Sequence, residues 1–180
     1  MIAILAVHLL GENISTGGDR VLVEMAKRWR RSGTEIVVIG PKHARDFLRS
    51  ETGAVVKPIG STIFDHTSSL FAIPFAYFFR TIRSITLARS AGADVYYSGG
   101  DFICNVVPGV WAKLRSSRCV KLAVSIHHIN ALPFTRHGNS LLASTVSYTL
   151  QRLSFMLIKR YADTIFVLNA GMRTQLPKHG

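Results

Sequence analysis

The sequence predicts an α/β protein in which a parallel sheet is covered by helices. Short apolar runs alternate with segments of helical spacing along most of the chain, the pattern of strands joined by crossover helices. The opening run, Met-Ile-Ala-Ile-Leu-Ala-Val, is apolar at every position, as a strand buried on both faces is. The chain has 180 residues, 48% of them hydrophobic. That suffices for one medium domain with a real core and is too little for two full lobes of this kind.

The elements follow in order. Strand Ile2–Val7 leads to a helix over Gly18–Arg31, where Val21, Met25 and Trp29 recur on one face and Lys27, Arg28, Arg30 and Arg31 lie mostly off it. Gly33 stands where a C-cap glycine would. Strand Glu35–Ile39, a short helix Ala44–Arg49 and strand Val55–Pro58 come next. A long helix over Ser69–Arg89 carries Phe75, Phe78, Phe79, Ile82 and Ile85 at helical spacing, with Arg80, Arg83 and Arg89 beside them. Such spacing assigns the apolar face to the sheet and the arginines to solvent. Ala91-Gly92-Ala93 closes that helix as Gly33 closes the first. Strand Asp94–Tyr97, helix Phe102–Leu114, strand Val120–Ile126, helix Leu141–Tyr161 and strand Thr164–Leu168 complete the alternation. Ligands of such sheets bind beyond the carboxyl ends of the strands, which directs attention to segments 8–18, 40–43, 98–101 and 127–138.

Charge is uneven. The 22 Lys and Arg residues against 10 acids give a formal net charge of +12. Residues 1–101 hold nine acids and twelve bases; residues 102–180 hold one acid, Asp163, and ten bases. A basic half of this kind suits an anionic partner: a phosphorylated ligand, an acidic membrane or nucleic acid. Residues 66–93 contain no acid. An aromatic face with a basic flank also suits a helix lying in an anionic leaflet, so peripheral membrane contact is a second reading of the long helix. The strongest apolar run, Leu70–Phe79, is shorter than the roughly 18–20 residues that span a bilayer, and Gln151 and Arg152 interrupt the other candidate. Cys104 and Cys119 belong to no C-x-x-C or zinc pattern, so a reduced, cytoplasmic setting is expected. The N-terminus has neither a basic n-region nor a small-residue cleavage site, the marks of a signal peptide.

Ser15-Thr16-Gly17-Gly18-Asp19-Arg20 lies between the first strand and the first helix. Glycine lets backbone approach a ligand closely, and a helix start offers free N–H groups to an anion. Strand, Gly-Gly turn and helix therefore make a candidate phosphate cradle, although neither G-x-G-x-x-G nor G-x-x-x-x-G-K-[ST] is present. The alternative is an ordinary strand-to-helix turn.

Three segments carry a family resemblance. Gly17-Gly18-Asp19-Arg20-Val21, with its helix and Gly33-Thr34-Glu35-Ile36-Val37-Val38-Ile39, is the first. Ala93-Asp94-Val95-Tyr96-Tyr97-Ser98 with Asp101-Phe102 is the second, and Ala162-Asp163-Thr164-Ile165-Phe166-Val167-Leu168-Asn169 with Arg173 the third. In this order and spacing the chain resembles the N-terminal, Rossmann-like lobe of group-1 (family 4) retaining glycosyltransferases of the GT-B fold. Thr34 stands where that family usually has His, and Asn169 where it has Ser. The resemblance implies an enzyme that moves a sugar from a nucleotide-sugar donor to a saccharide or lipid-linked acceptor. Residues 1–180 would form a single acceptor-side lobe. The nucleotide-sugar lobe, with its Glu-x7-Glu motif, would have to be supplied by further sequence or by another polypeptide, and residues 1–180 would be incompetent alone. Gly17 and Gly18 would meet the donor diphosphate, and His127, after Val124-Ser125-Ile126, would line the cleft beside the transferred sugar. Neither a metal nor an organic cofactor is implied.

Individual residues carry alternatives. His127 and His128 end a strand, so at most one enters the cleft while the alternation lasts; either is also a candidate structural histidine. His128 and Asp101 are candidates for binding acceptor hydroxyls, and Asp101 is as readily the N-cap of the helix that begins at Phe102. Asp19 suits a first helical turn, and Arg20 either fills the same role or reaches a phosphate. A rival function is a non-catalytic basic α/β domain that binds nucleic acid or an anionic surface. No helix-turn-helix, RNP or zinc pattern supports the nucleic-acid form of it.

Overall fold

In a computed structural model, six parallel strands and five α-helices form a Rossmann-like domain. The structure describes residues 1–9, 16–62, 72–130, 132, 141–167 and 171–172. Strands β1 (Ile2–Leu5), β2 (Ile36–Pro41), β3 (Val55–Ile59), β4 (Val95–Ser98), β5 (Lys121–Ile126) and β6 (Thr164–Val167) lie in the order β3-β2-β1-β4-β5-β6. Ile2 of β1 is level with Ile36 on one side and Val95 on the other, so β1 is central. Helices α1 (Gly17–Arg31), α2 (Arg45–Thr52), α3 (Ala72–Ala91), α4 (Ile103–Arg115) and α5 (Leu141–Tyr161) connect them, with a 3-10 turn over Lys42–Ala44. Leu168, Asn169 and Arg173 of the third resemblance segment lie outside the described residues.

Strand alternation builds two cores. Ala3, Leu5, Val37, Ile39, Tyr96 and Leu122 face one side, where α3, α4 and α5 contribute Ala88, Cys104, Val106, Val110, Phe155 and Ile158. Ile4, Ala6, Ile36, Val38 and Tyr97 face the other, against Leu22, Val23 and Ala26 of α1 and Leu48 of α2. Burial on both faces explains why these strands read as continuous apolar runs. Gly33 (φ 80) and Gly92 (φ 65) adopt left-handed conformations just past α1 and α3, as helix-closing glycines do.

Asp163 ties β6 to the sheet. Its Oδ2 accepts hydrogen bonds from Lys113 Nζ (2.7 Å) and Leu122 N (2.8 Å). Partial burial opposes its charge, but these bonds and the charges of Lys113 and Lys121 outweigh that and hold the carboxyl below its ordinary range.

Helix α3 is oriented against the expectation from its sequence. It turns Ala76, Arg80, Ser84 and Ala88 inward at four-residue spacing and exposes Phe75, Phe78, Phe79 and Ile82. Two demands account for this. Small residues let the helix lie close on the sheet. The chain leaving β1 also has carbonyls that need donors: Arg80 Nη1 donates to Leu9 O (2.8 Å) and Val7 O (3.4 Å), and Tyr77 Oη to His8 O (3.1 Å). Arg80 is 1% exposed, so it does not belong to a solvent-facing basic flank. Satisfying buried carbonyls with a charged donor outweighs burying the phenylalanines. Arg83 is exposed and donates to Gly60 O and Ser61 O.

Candidate functional site

The strand order reverses at β1. From β1 the chain moves out through β2 to β3, and from β3 it returns to β4 on β1's other side. The carboxyl ends of β1 and β4 therefore diverge into loops on opposite faces, leaving the crevice where ligands of open α/β sheets bind. Five groups of residues meet there: His8 after β1, the start of α1, Gly99–Phe102 after β4, Asn105 on α4, and His127 and His128 after β5.

The start of α1 is fixed by a capping box. Thr16 Oγ1 accepts from Asp19 N (3.2 Å), and Asp19 Oδ2 accepts from Thr16 N (2.9 Å). The first-turn N–H groups of Gly17 and Gly18 have no partner inside the helix by its geometry. Gly17 is exposed and Gly18 half-buried. A β-carbon on Gly18 would lie 3.0 Å from His127 Cδ2, so glycine here permits the close approach of helix and imidazole. Arg20 is exposed on the same turn.

His127 is half-buried and His128 exposed, so one of the pair turns inward, as strand alternation requires. His127 Nε2 lies 2.8 Å from Gly99 O and donates to it. That fixes the tautomer of the neutral ring: Nδ1 keeps its lone pair, and it is buried without a hydrogen-bond partner. Gly99 itself sits so close to α1 that a β-carbon would clash with Leu22 Cδ1.

Asp101 is not the N-cap of α4. Phe102 holds that position, without a side-chain cap, and the helix begins at Ile103. The Asp101 carboxylate is buried and turned to α5, where Gln151 Nε2 donates to its Oδ2 at 2.6 Å. Ser154 Oγ donates to Asp101 O (2.6 Å). Gln151 also donates to His128 O (2.8 Å) and accepts from Asn130 N (2.7 Å), so a single amide holds together the loops after β4 and β5. A partner 50 residues away outcompetes the local cap.

A third histidine, His8, carries no mark in the sequence. It is buried between Asn105 and Asp19. His8 N donates to Asn105 Oδ1 (3.1 Å), which orients the amide so that Asn105 Nδ2 donates to His8 Nδ1 (2.8 Å). The proton of the neutral ring is therefore on Nε2, aimed at Asp19 Oδ1 at 3.1 Å. An uninterrupted chain of bonds runs from α4 through His8 to the cap of α1. His8 stacks on Phe102 at 4.9 Å between centroids, and Phe102 meets the edge of His128 at 6.5 Å. His8 directly follows the first apolar strand, and that position was the available signal; nothing near Asn105 or Gln151 announces a role.

Of the sequence candidates, Gly17, Gly18 and His127 come together at the crevice, and Arg20 and His128 are exposed at its margin. Asp101 stands behind it, bracing the Phe102 loop. Cys104 lies beneath, where burial pushes its thiol up to about 12, so it is not a thiolate near neutrality. No protein-family model matches this chain, and no curated protein matches it significantly.

Proposed function

We propose that the chain is the acceptor-side lobe of a two-lobed retaining glycosyltransferase, with its working surface at the β1/β4 crevice. The observation that carries this reading is the contact between Gly18 and His127 at the point where the strand order reverses. Free backbone donors at a helix start are what a diphosphate leaving group requires. The Gly17 and Gly18 N–H groups, with the positive end of α1, stabilise charge developing on the donor diphosphate. Arg20 adds a cation at the same turn. His127 is a positioning residue: with Nε2 held by Gly99 O and Nδ1 buried, its ring packs on Gly18 and holds the first turn of α1 at the edge of the crevice, beside the transferring sugar. Phe102 and His128 line the acceptor side, with Asp101 as a positioning residue that holds their loop. The nucleotide-sugar lobe completes the enzyme, and the acceptor is a saccharide or a lipid-linked sugar met peripherally at the inner face of a membrane. Among the described residues no helix is long and apolar enough to cross a membrane.

Calorimetric titration tests this reading against the rival, nucleic-acid binding. The chain is titrated with a panel of nucleoside-diphosphate sugars, with pyrophosphate, and with random-sequence RNA, each at 50 and 200 mM salt. Saturable binding of a diphosphate ligand that persists at the higher salt is expected. No diphosphate binding, with RNA affinity falling about a thousandfold between the two salts, would assign the chain to nucleic acid instead.

A further inference from the structure

The two helical layers cover the sheet unequally. The layer made of α3, α4 and α5 carries eight bases and no acid, and its core reaches Ile165 and Val167 of β6. The layer made of α1 and α2 stops short: its core reaches Tyr97 of β4 and Ala123 of β5. On that side of β6, Thr164 is exposed and Phe166 is 40% exposed. Parallel strands are buried on both faces in sheets of this kind, so β5 and β6 are left short of cover here.

The gap is a cleft of about 340 Å³ between α1 and β6. Val21 and Met25 of α1 line one side, Phe166 and Val167 the other, with Tyr97 and Ser125 between them. None of its described lining residues is charged. An edge-to-face ladder, Trp29 to Tyr97 (4.9 Å between centroids) and Tyr97 to Phe166 (6.1 Å), runs beneath α1 into it. Gly18, Val21 and Met25 share a face of α1, being three and four residues apart. Ser125 precedes His127 by two residues on the same face of β5, about 7 Å along the strand. The cleft therefore begins beneath the contact between Gly18 and His127.

A polar pair sits at the bottom of this apolar space. Tyr97 is fully buried and Ser125 is 4% exposed, and their hydroxyls lie 2.6 Å apart. Two hydroxyls carry two protons and share one bond. Among the described residues the second proton meets no acceptor. Burial holds the Tyr97 phenol above its ordinary range, against the pull of the Ser125 bond, so the phenol stays protonated at neutral pH. A buried donor of this kind calls for an acceptor in the cleft.

We infer that the cleft binds a small, uncharged aromatic molecule that carries a hydroxyl group. Its ring packs against Phe166 and beside the Met25 thioether. Its oxygen accepts the spare proton of the Tyr97–Ser125 pair. An ion would lose its water here without gaining a counter-charge, and a hydrocarbon would leave the spare proton unbonded. The volume lies at the lower end of the range for small-molecule sites, which suits a single ring system. The site is separate from the diphosphate crevice. The inference does not rest on the transferase reading, because its probes carry neither phosphate nor sugar.

NMR of methionine-methyl-labelled protein tests it, with benzyl alcohol and ethylbenzene as probes; the second has the shape of the first without its oxygen. Saturating shifts of the Met25 methyl are expected with benzyl alcohol, at a dissociation constant of about 1 mM or below. Met156, 61% exposed on α5, should stay unmoved. The double variant Tyr97→Phe/Ser125→Ala should bind benzyl alcohol about tenfold more weakly and ethylbenzene no more weakly than the parent does. Retained ethylbenzene binding shows that the variant keeps the cleft. Val21→Phe fills the cleft without touching the hydroxyls and should abolish binding of both probes. A Met25 signal that does not move in the parent, equal shifts at Met25 and Met156, full binding in Val21→Phe, or equal responses of the two probes to loss of the hydroxyls would each overturn the inference.

Discussion

Replacing Gly18 by valine is expected to remove diphosphate binding while leaving the domain folded. The added β-carbon alone would lie 3.0 Å from His127 Cδ2, and valine adds two γ-carbons. The imidazole cannot retreat freely, because Nε2 is held by Gly99 O and Gly99 is pressed against Leu22. Either His127 swings out or the first turn of α1 shifts, and both outcomes separate the donors from the ring. Two charge-assisted bonds lost at about 1.5 kcal/mol each correspond to roughly a hundredfold in affinity. The fold should survive, since the capping box through Thr16 and Asp19 and the buried Leu22, Val23 and Ala26 anchor α1 independently of Gly18. Gly17→Ala is the matched comparison: its β-carbon meets nothing within 4 Å, and it should leave His127 in place. Affinity by calorimetry and stability by denaturation, measured on both variants, separate loss of the site from loss of the fold. Undiminished affinity in Gly18→Val would remove the glycine pair from the site.

Gln151→Leu is expected to cost stability rather than contacts with a ligand. Leucine is close in size, so the change leaves little cavity. It does strand two buried polar groups at once, the Asp101 carboxylate and Asn130 N, and removes the donor to the part-buried His128 O. Asp101 Oδ1 already lacks a partner, so the carboxylate would be left with neither oxygen bonded. Leaving a buried acceptor without its donor costs about 1–3 kcal/mol, and more for a charged one, a large share of the stability of a domain this size. Denaturant unfolding should show a lower midpoint with an unchanged slope. Because the same amide joins the loops after β4 and β5, any surviving folded protein should have a disordered Phe102–His128 margin. A midpoint within experimental error of the parent would mean that water replaces the amide and that the loops do not depend on it.

The sequence made the strands legible because a parallel sheet buried on both sides needs unbroken apolar runs, and Met1–Val7 and Ile36–Ile39 are such runs. It made Gly17, Gly18 and His127 legible as candidates, because the carboxyl edge of a sheet can be read from strand ends. Helix α3 could not be read correctly from its own periodicity. Its aromatic stripe is the stronger hydrophobic signal, yet the inward face is chosen by close packing and by carbonyls around residues 7–9 that only the folded chain brings near Arg80. Asp101 misled for a related reason. Local preference makes Asp before a helix a cap, and a glutamine 50 residues away claimed it. His8 and Asn105 are joined across 97 residues, and the link depends on β1 and β4 being neighbours, which alternation of strand and helix does not specify.

The central claim is that the β1/β4 crevice, rather than the basic helical layer, receives the diphosphate. Amide chemical-shift mapping during titration with a nucleoside-diphosphate sugar tests this directly. The account predicts saturating shifts at Gly17, Gly18, Gly99, Gly100 and His127, with α3 and α5 unmoved. Shifts confined to the bases of α3, α4 and α5, with the Gly17–Gly18 amides unchanged, would contradict it.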